Sequence, residues 1–187
     1  MPVMNIPDTR VLLQHLMPEE AWDLPEMERT PERWAKMMIE LTNRNDHEFE
    51  FTVFNNDMHV DEMVIIKDIP FVTLCAHHLI PFIGKAHIAY VPGSKLAGLS
   101  KFKRLVNYYT KGCWNQENLT QEIAEALEMN LGDPVGVAVV MTAEHLCMTI
   151  RGAQSPGTTT TTSCMRGCFG DHTKMARTEF LSFIRTS

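Results

Sequence analysis

The sequence predicts an α+β domain preceded by a short helical segment, and three observations carry that prediction. Before position 50 apolar residues recur at helical spacing, as in Trp34, Met37, Met38 and Leu41. From Phe51 onward short apolar and β-branched runs alternate with turn residues, and only a few amphipathic helices interrupt them. No internal repeat or linker divides the chain after residue 50, so these strands and helices form one body. The expected organisation is a helical segment over 1–50 and a single domain over 51–187.

Taken in order, Asp8 is placed to cap a short amphipathic helix carrying Val11, Leu12, His15 and Leu16, and Pro18 and Pro25 interrupt the segment after it. Thr30-Pro31 supplies an N-cap and a preorganised first helical position. Nothing in this segment carries chemistry; helices that pack on the body or on another subunit account for it. Phe51 to Phe54 and Met63 to Ile66 read as short strands around the turn-like Asn55-Asn56-Asp57, and Val72 to Leu74 as a further one. Lys85 to Val91 alternates as a strand closed by Pro92-Gly93, with His87 as a satisfied sheet residue.

Phe102, Leu105, Val106 and Tyr109 form one helical face, which puts Ser100 at the N-cap and Gly112 at the end. A second helix runs from about Asn115 to Leu131, with Leu119, Ile123, Ala126, Leu127 and Leu131 inward and Gly132-Asp133-Pro134 beyond it. Val135 to Met141 is a nearly continuous apolar strand. Ala143 to Arg151 reads as another strand, Gln154-Ser155-Pro156-Gly157 as a turn, and Thr158 to Ser163 as a threonine-rich strand. Asp171 or Thr173 opens a last helix carrying Ala176, Phe180, Phe183 and Ile184.

The bulk properties set limits. A chain of 187 residues buries roughly 70% of its unfolded surface. With 44% hydrophobic and 21% charged residues it has the composition of a soluble globular protein. No apolar run approaches the ~18 residues of a membrane span, and Met1-Pro2-Val3-Met4-Asn5 lacks the pattern of a signal peptide, so a cytoplasmic location without membrane partners is expected. Five cysteines, an odd number, favour reduced thiols over a disulfide framework. A net charge of −6 argues against non-specific nucleic-acid binding, so an anionic substrate requires a local basic cluster.

Two stretches carry chemistry. Cys75-Ala76-His77-His78 offers a thiol and an imidazole three residues apart, the spacing with which a strand end or tight turn grips a Zn²⁺; alone, the pair is often accidental. Its best complement is Glu144-His145-Leu146-Cys147-Met148-Thr149-Ile150-Arg151, where a strand period of two would put His145, Cys147 and Arg151 on one face. Cys75, His78 and Cys147 as ligands leave the fourth tetrahedral position to water, as in catalytic zinc sites, with His77 and His145 left for proton transfer. The other notable feature is Lys101, Lys103 and Arg104 crowded into a first helical turn. The helix dipole disfavours them there unless an anion sits before the free N–H groups; the alternative is a solvated basic face.

With these pieces in view, the sequence resembles the GTP cyclohydrolase I family of zinc enzymes that open pterin and folate biosynthesis. The resemblance rests on Thr30 to Met37, Val60-Asp61-Glu62-Met63, Cys75-Ala76-His77-His78, Gly98-Leu99-Ser100-Lys101, Gln116 to Thr120, His145-Leu146-Cys147 and Arg151-Gly152, in the family's order. It implies the tunnelling fold, an antiparallel sheet with helices on one side, and assembly into a toroidal homodecamer with active sites between subunits. It implies zinc on Cys75, His78 and Cys147 and catalytic imidazoles at His77 and His145. It also implies GTP as substrate, with guanine met by Glu117 beside Gln116 and the triphosphate by Ser100, Lys101, Arg104 and Arg151. Two positions depart from the family pattern: Ala76 stands where members usually have Glu, and Glu50 where many have Lys. The competing readings are a relative of the same fold that reduces a nitrile on a deazaguanine, and a non-catalytic purine-binding regulator.

Overall fold

The computed structural model describes residues 6–43, 50–171 and 175–185, and the chain divides into two compact units, Met1–Asn43 and Arg44–Ser187. In the first unit α1 (Ile6–Leu16) and α2 (Thr30–Thr42) flank two short 3₁₀ turns, Glu19–Asp23 and Pro25–Arg29. Each turn starts beside a proline, which the first turn of a helix tolerates because its N–H groups have no helical partner. The inward face of α1 differs from the expected one. Leu13 is buried, whereas Val11, Leu12 and Leu16 are 53, 48 and 71% exposed. Arg10, one turn before Leu13, donates to Glu28 O at 2.6 Å and lies over the Trp22 ring, which fixes that rotation. Asp8 sits inside the first turn rather than capping it. The Thr30 hydroxyl likewise does not cap α2: the preceding turn presents the Glu26 carbonyl, and the hydroxyl donates to it.

In the second unit a five-stranded sheet has the order β5-β2-β3-β6-β7, formed by β2 (Val64–Cys75), β3 (Pro81–Val91), β5 (Cys113–Trp114), β6 (Gly136–His145) and β7 (Thr159–Gly167). Its neighbours are antiparallel except for the short parallel contact of β5 with β2. A separate pair joins β1 (Val53–Asn55) to β4 (Lys95–Ala97). The expected α+β class with an antiparallel sheet holds. The runs Met63–Ile66 and Val72–Leu74 belong to one strand, β2, because a bulge between Ile66 and Ile69 interrupts its alternation. At that bulge Asp68 has φ +56°, and its N–H donates to Nδ1 of the buried His87, the satisfied role expected for that histidine.

Alternation along β6 explains its apolar run. Val137, Val139, Met141 and Ala143 face a core built with α3 (Leu99–Tyr109) and α4 (Gln116–Leu131), including Phe102, Leu105, Ile123 and Leu127. Ala138 and Val140 face the other side, against Phe169, which follows β7, and Phe180, which belongs to α6 (Ala176–Arg185), so the strand is buried on both faces and needs no polar residue. Thus α3 and α4 cover one face, and α6 adds cover to the opposite one. His145 follows Ala143 by two residues, so the same alternation turns it toward the helix-covered face, where α4 begins.

Three helix ends differ in detail. Gly98, not Ser100, is the N-cap of α3, and Ser100 lies in its first turn. α4 ends at Gly132, whose φ of +83° is open to glycine at little cost. Phe183 of α6 is exposed while Phe180 is fully buried. Thr173, one expected opener of that helix, lies outside the described residues.

Candidate active site

The β2–β3 hairpin brings the first set of donors together. Cys75 N–H donates to Ile80 O, and the Cys75 carbonyl accepts from the N–H groups of His78 and Leu79, with Leu79 at φ +54°. This tight loop ends in Pro81, which starts β3 and cannot donate to the ladder. The Ala76 N–H donates to Trp114 O, tying the loop to the segment that leads into α4. As a result Cys75 Sγ lies 3.7 Å from His77 Nδ1 and 3.9 Å from His78 Nδ1.

The second set does not lie on a strand, which corrects the period-two expectation for Ala143 to Arg151. β6 stops at His145, and Leu146–Thr149 forms a single helical turn, α5, closed by Ile150 N–H to Leu146 O at 3.0 Å. The sheet itself gives the reason. The ladder with β3 ends at the pair Phe82–His145 and that with β7 at Glu144–Thr159, so the next residues have no neighbouring strand and must satisfy their backbone locally. Glu144 pins the loop beyond. Its Oε1 accepts from Thr149 Oγ1 and from Gly157 N–H, each at 3.0 Å, and these bonds, the backbone one first, hold its carboxyl below the usual range.

The two sets converge. Cys75, His145 and Cys147 each have one ligand atom within 4.8 Å of the others. Zinc bonds of ~2.3 Å to sulfur and ~2.0 Å to nitrogen, at a tetrahedral angle, place two such donors about 3.6 Å apart. The sulfur–nitrogen separations of Cys75 from His77 and His78 are near that value, but the three donors that come together are Cys75, His145 and Cys147, and His78, the expected third ligand, is not among them. Burial first, and then the Cys75 thiol beside it, push the Cys147 thiol up, against the lowering effect of Arg151. A bound cation reverses that balance by favouring both thiolates. Burial holds the His145 imidazole below its ordinary value, opposed by the carboxylate of Glu117.

A cavity of about 310 Å³ encloses this group, lined by Cys75, His77, His78, Gln116, Glu117, His145 and Cys147 together with Trp114, Asn115, Met148 and Thr160. Ser100, Lys101, Arg104 and Arg151 do not line it. Lys101 Nζ donates to Glu50 O, and Lys103 Nζ donates to Pro70 O, where burial holds its ammonium below the ordinary value. Arg104 is exposed and makes no hydrogen bond or ion pair among the described residues.

Sequence reasoning missed several members of the site. Phe82 pairs with His145 across β3 and β6, and the rings stack at 4.4 Å and 7°. Thr160 and Thr162, on one face of β7, meet Gln116; the period of two within the threonine run was the available signal. No sequence signal marks Glu144 as the brace of its loop.

A family model described as GTP cyclohydrolase I matches residues 8–185. The chain belongs to the GTP cyclohydrolase I family. It is 46% identical over 159 residues to GTP cyclohydrolase 1 of Hydrogenobaculum sp. (strain Y04AAS1), covering 85% of each chain. The protein of that name from Aquifex aeolicus (strain VF5) is also 46% identical over 159 residues, covering 85% of this chain and 84% of the other. That from Saccharomyces cerevisiae (strain ATCC 204508 / S288c) is 47% identical over 160 residues, 83% of this chain and 64% of the other. The family is one of hydrolases, and the candidate site is read as that of a family member.

Proposed function

We propose that this protein is a zinc-dependent GTP cyclohydrolase I, which opens the imidazole ring of the guanine of GTP, releases formate and forms 7,8-dihydroneopterin triphosphate. The observation that carries the reading is the convergence of two thiols, three imidazoles and the Glu117 carboxylate on one cavity. Cys75, His78 and Cys147 hold the ion. Zinc bound there supplies Lewis acidity that brings the pKa of a water toward neutrality, which suits hydrolysis at guanine C8.

The protein's own groups do the rest. His145 and His77 give and take protons as the ring opens and the ribose rearranges, and an imidazole is suited to both directions near neutral pH. Glu117 accepts from the guanine N–H groups, a pairing that adenine lacks. Ser100, Lys101, Arg104 and Arg151 receive the triphosphate, Arg by paired charge-assisted bonds. Since the α3 residues do not line the cavity, the reading includes an oligomer in which a second copy brings its basic turn to this site, as in the homodecamer the resemblance implies. Substrate and products are small and soluble, and no helix among the described residues is long and apolar enough to cross a membrane, which fits a cytoplasmic enzyme.

The test is incubation of zinc-loaded protein with GTP, following formate and the fluorescence of the oxidised pterin. Equal amounts of both products are expected. Absence of both from a folded, zinc-loaded sample would overturn the reading.

A further inference from the structure

We infer that Gln116 is a positioning residue for His145, whose tautomer and ring direction it fixes, and not a contact for the purine. The inference rests on the proposed catalytic role of His145. Gln116 is the first residue of α4 and is only 2% exposed. Its Nε2 lies 3.0 Å from Met141 O, 3.0 Å from Thr160 O and 3.1 Å from Thr162 Oγ1. Two of these neighbours are carbonyl oxygens, which only accept, so this end of the amide must be the NH₂ group. The other end is then the oxygen, and it lies 2.7 Å from His145 Nε2.

An amide oxygen only accepts, so His145 Nε2 must carry the proton in that bond. Nδ1 is thereby left as the lone-pair nitrogen of the neutral ring. The surrounding hydroxyls agree with the assignment. Thr120 Oγ1 donates to the Gln116 carbonyl at 2.7 Å, so the 2.6 Å contact between Thr120 and Thr162 is a donation from Thr162, whose oxygen remains free to accept from the Gln116 amide. The NH₂ end is held between two strands and the oxygen is engaged by His145, so the side chain is committed to the protein and has no free donor for a substrate. Phe82 stacking on the ring removes the remaining freedom of tilt. An imidazole locked in this way presents Nδ1 as a proton acceptor at each turnover and need not select between tautomers.

The experiment compares the parent with Gln116→Met, which keeps length without an acceptor for His145. Steady-state turnover of GTP is measured for both, alone and combined with His145→Ala. The expected result for Gln116→Met is a kcat lower by roughly 10–100-fold, the usual effect of losing a partner that orients a functional histidine, with KM within about threefold of the parent. In the His145→Ala background Gln116→Met has no further effect, because a positioning residue acts only through its histidine. A KM raised tenfold or more at unchanged kcat, or an added loss in the double variant, overturns the inference. If Gln116→Met does not fold, the tautomer of His145 in the parent protein decides. A readout independent of turnover is the ¹⁵N spectrum of histidine-labelled protein, in which the His145 signal, assigned by its absence in His145→Ala, must show Nε2–H. An Nδ1–H ring overturns the inference even in a protein inactive on GTP, whereas inactivity with an Nε2–H ring overturns only the proposed function.

Discussion

Phe82 and His145 stand opposite one another in the β3–β6 ladder, and their rings lie parallel at 4.4 Å. Phe82 has no exposed surface, so the last residue of the sheet core is also the wall against which the His145 imidazole rests. Packing energy and the geometry of the candidate site therefore meet in a single contact.

Phe82→Leu should separate the two. Leucine retains most of the buried volume, and such swaps usually cost under ~1.5 kcal/mol. The lost ring contact is worth about 0.5–1.5 kcal/mol beyond area burial and no longer holds the imidazole. The expected outcome is a modest fall in melting temperature with a several-fold lower kcat and an unchanged KM for GTP. Unchanged kcat in a variant of lowered melting temperature would show that the stack serves stability alone.

His87 sets a pH dependence of stability. Burial first holds its imidazole below the ordinary value, against Asp68, which raises it; Lys85 and Lys67 add to the lowering. Its Nδ1 accepts the Asp68 N–H, which a protonated ring cannot do. A histidine whose folded pKa is depressed binds fewer protons folded than unfolded, so its contribution is complete above the unfolded value of ~6.5 and is lost as the pH falls below it. The melting temperature of the parent should fall more between pH 7.5 and pH 5 than that of His87→Gln. Parallel curves would contradict this.

Arg104 is the cation of the basic turn that remains available, since Lys103 is bonded to Pro70 O and Lys101 to Glu50 O. Arg104→Ala should raise KM for GTP roughly tenfold to a hundredfold at nearly constant kcat, from a charge-assisted contact of about 1.5–3 kcal/mol. Guanosine should be a far poorer substrate than GTP. Equal use of the two by the parent enzyme would remove the phosphate role.

How much of this was legible in the sequence depends on the range of the interaction. The hairpin that holds Cys75, His77 and His78 was legible, because a tight turn before Pro81 is a local matter. The core faces of α3, α4 and β6 were legible from their periods. Cys147 was reached by extending the strand period past His145, and that step fails because strand length is set by the neighbours β3 and β7, which the local sequence does not contain. Gln116 is expected beside Glu117 at the start of a helix, in the set that meets guanine. Its burial depends on Met141 and Thr160, 25 and 44 residues away in sequence. The Lys103 ammonium was read as part of an anion site, but a tertiary acceptor, the Pro70 carbonyl, takes it.

The proposed function divides labour on one short segment, with Cys147 on the metal and His145 on the proton. Cys75, His145 and Cys147 lie close enough for the opposite assignment, in which His145 is itself a ligand. Zinc content and formate release measured together on His145→Ala and Cys147→Ala decide between them. His145→Ala is expected to keep about one zinc per chain while turnover falls by roughly 10²–10⁴, and Cys147→Ala to lose zinc and activity together. Loss of zinc from folded His145→Ala would contradict it.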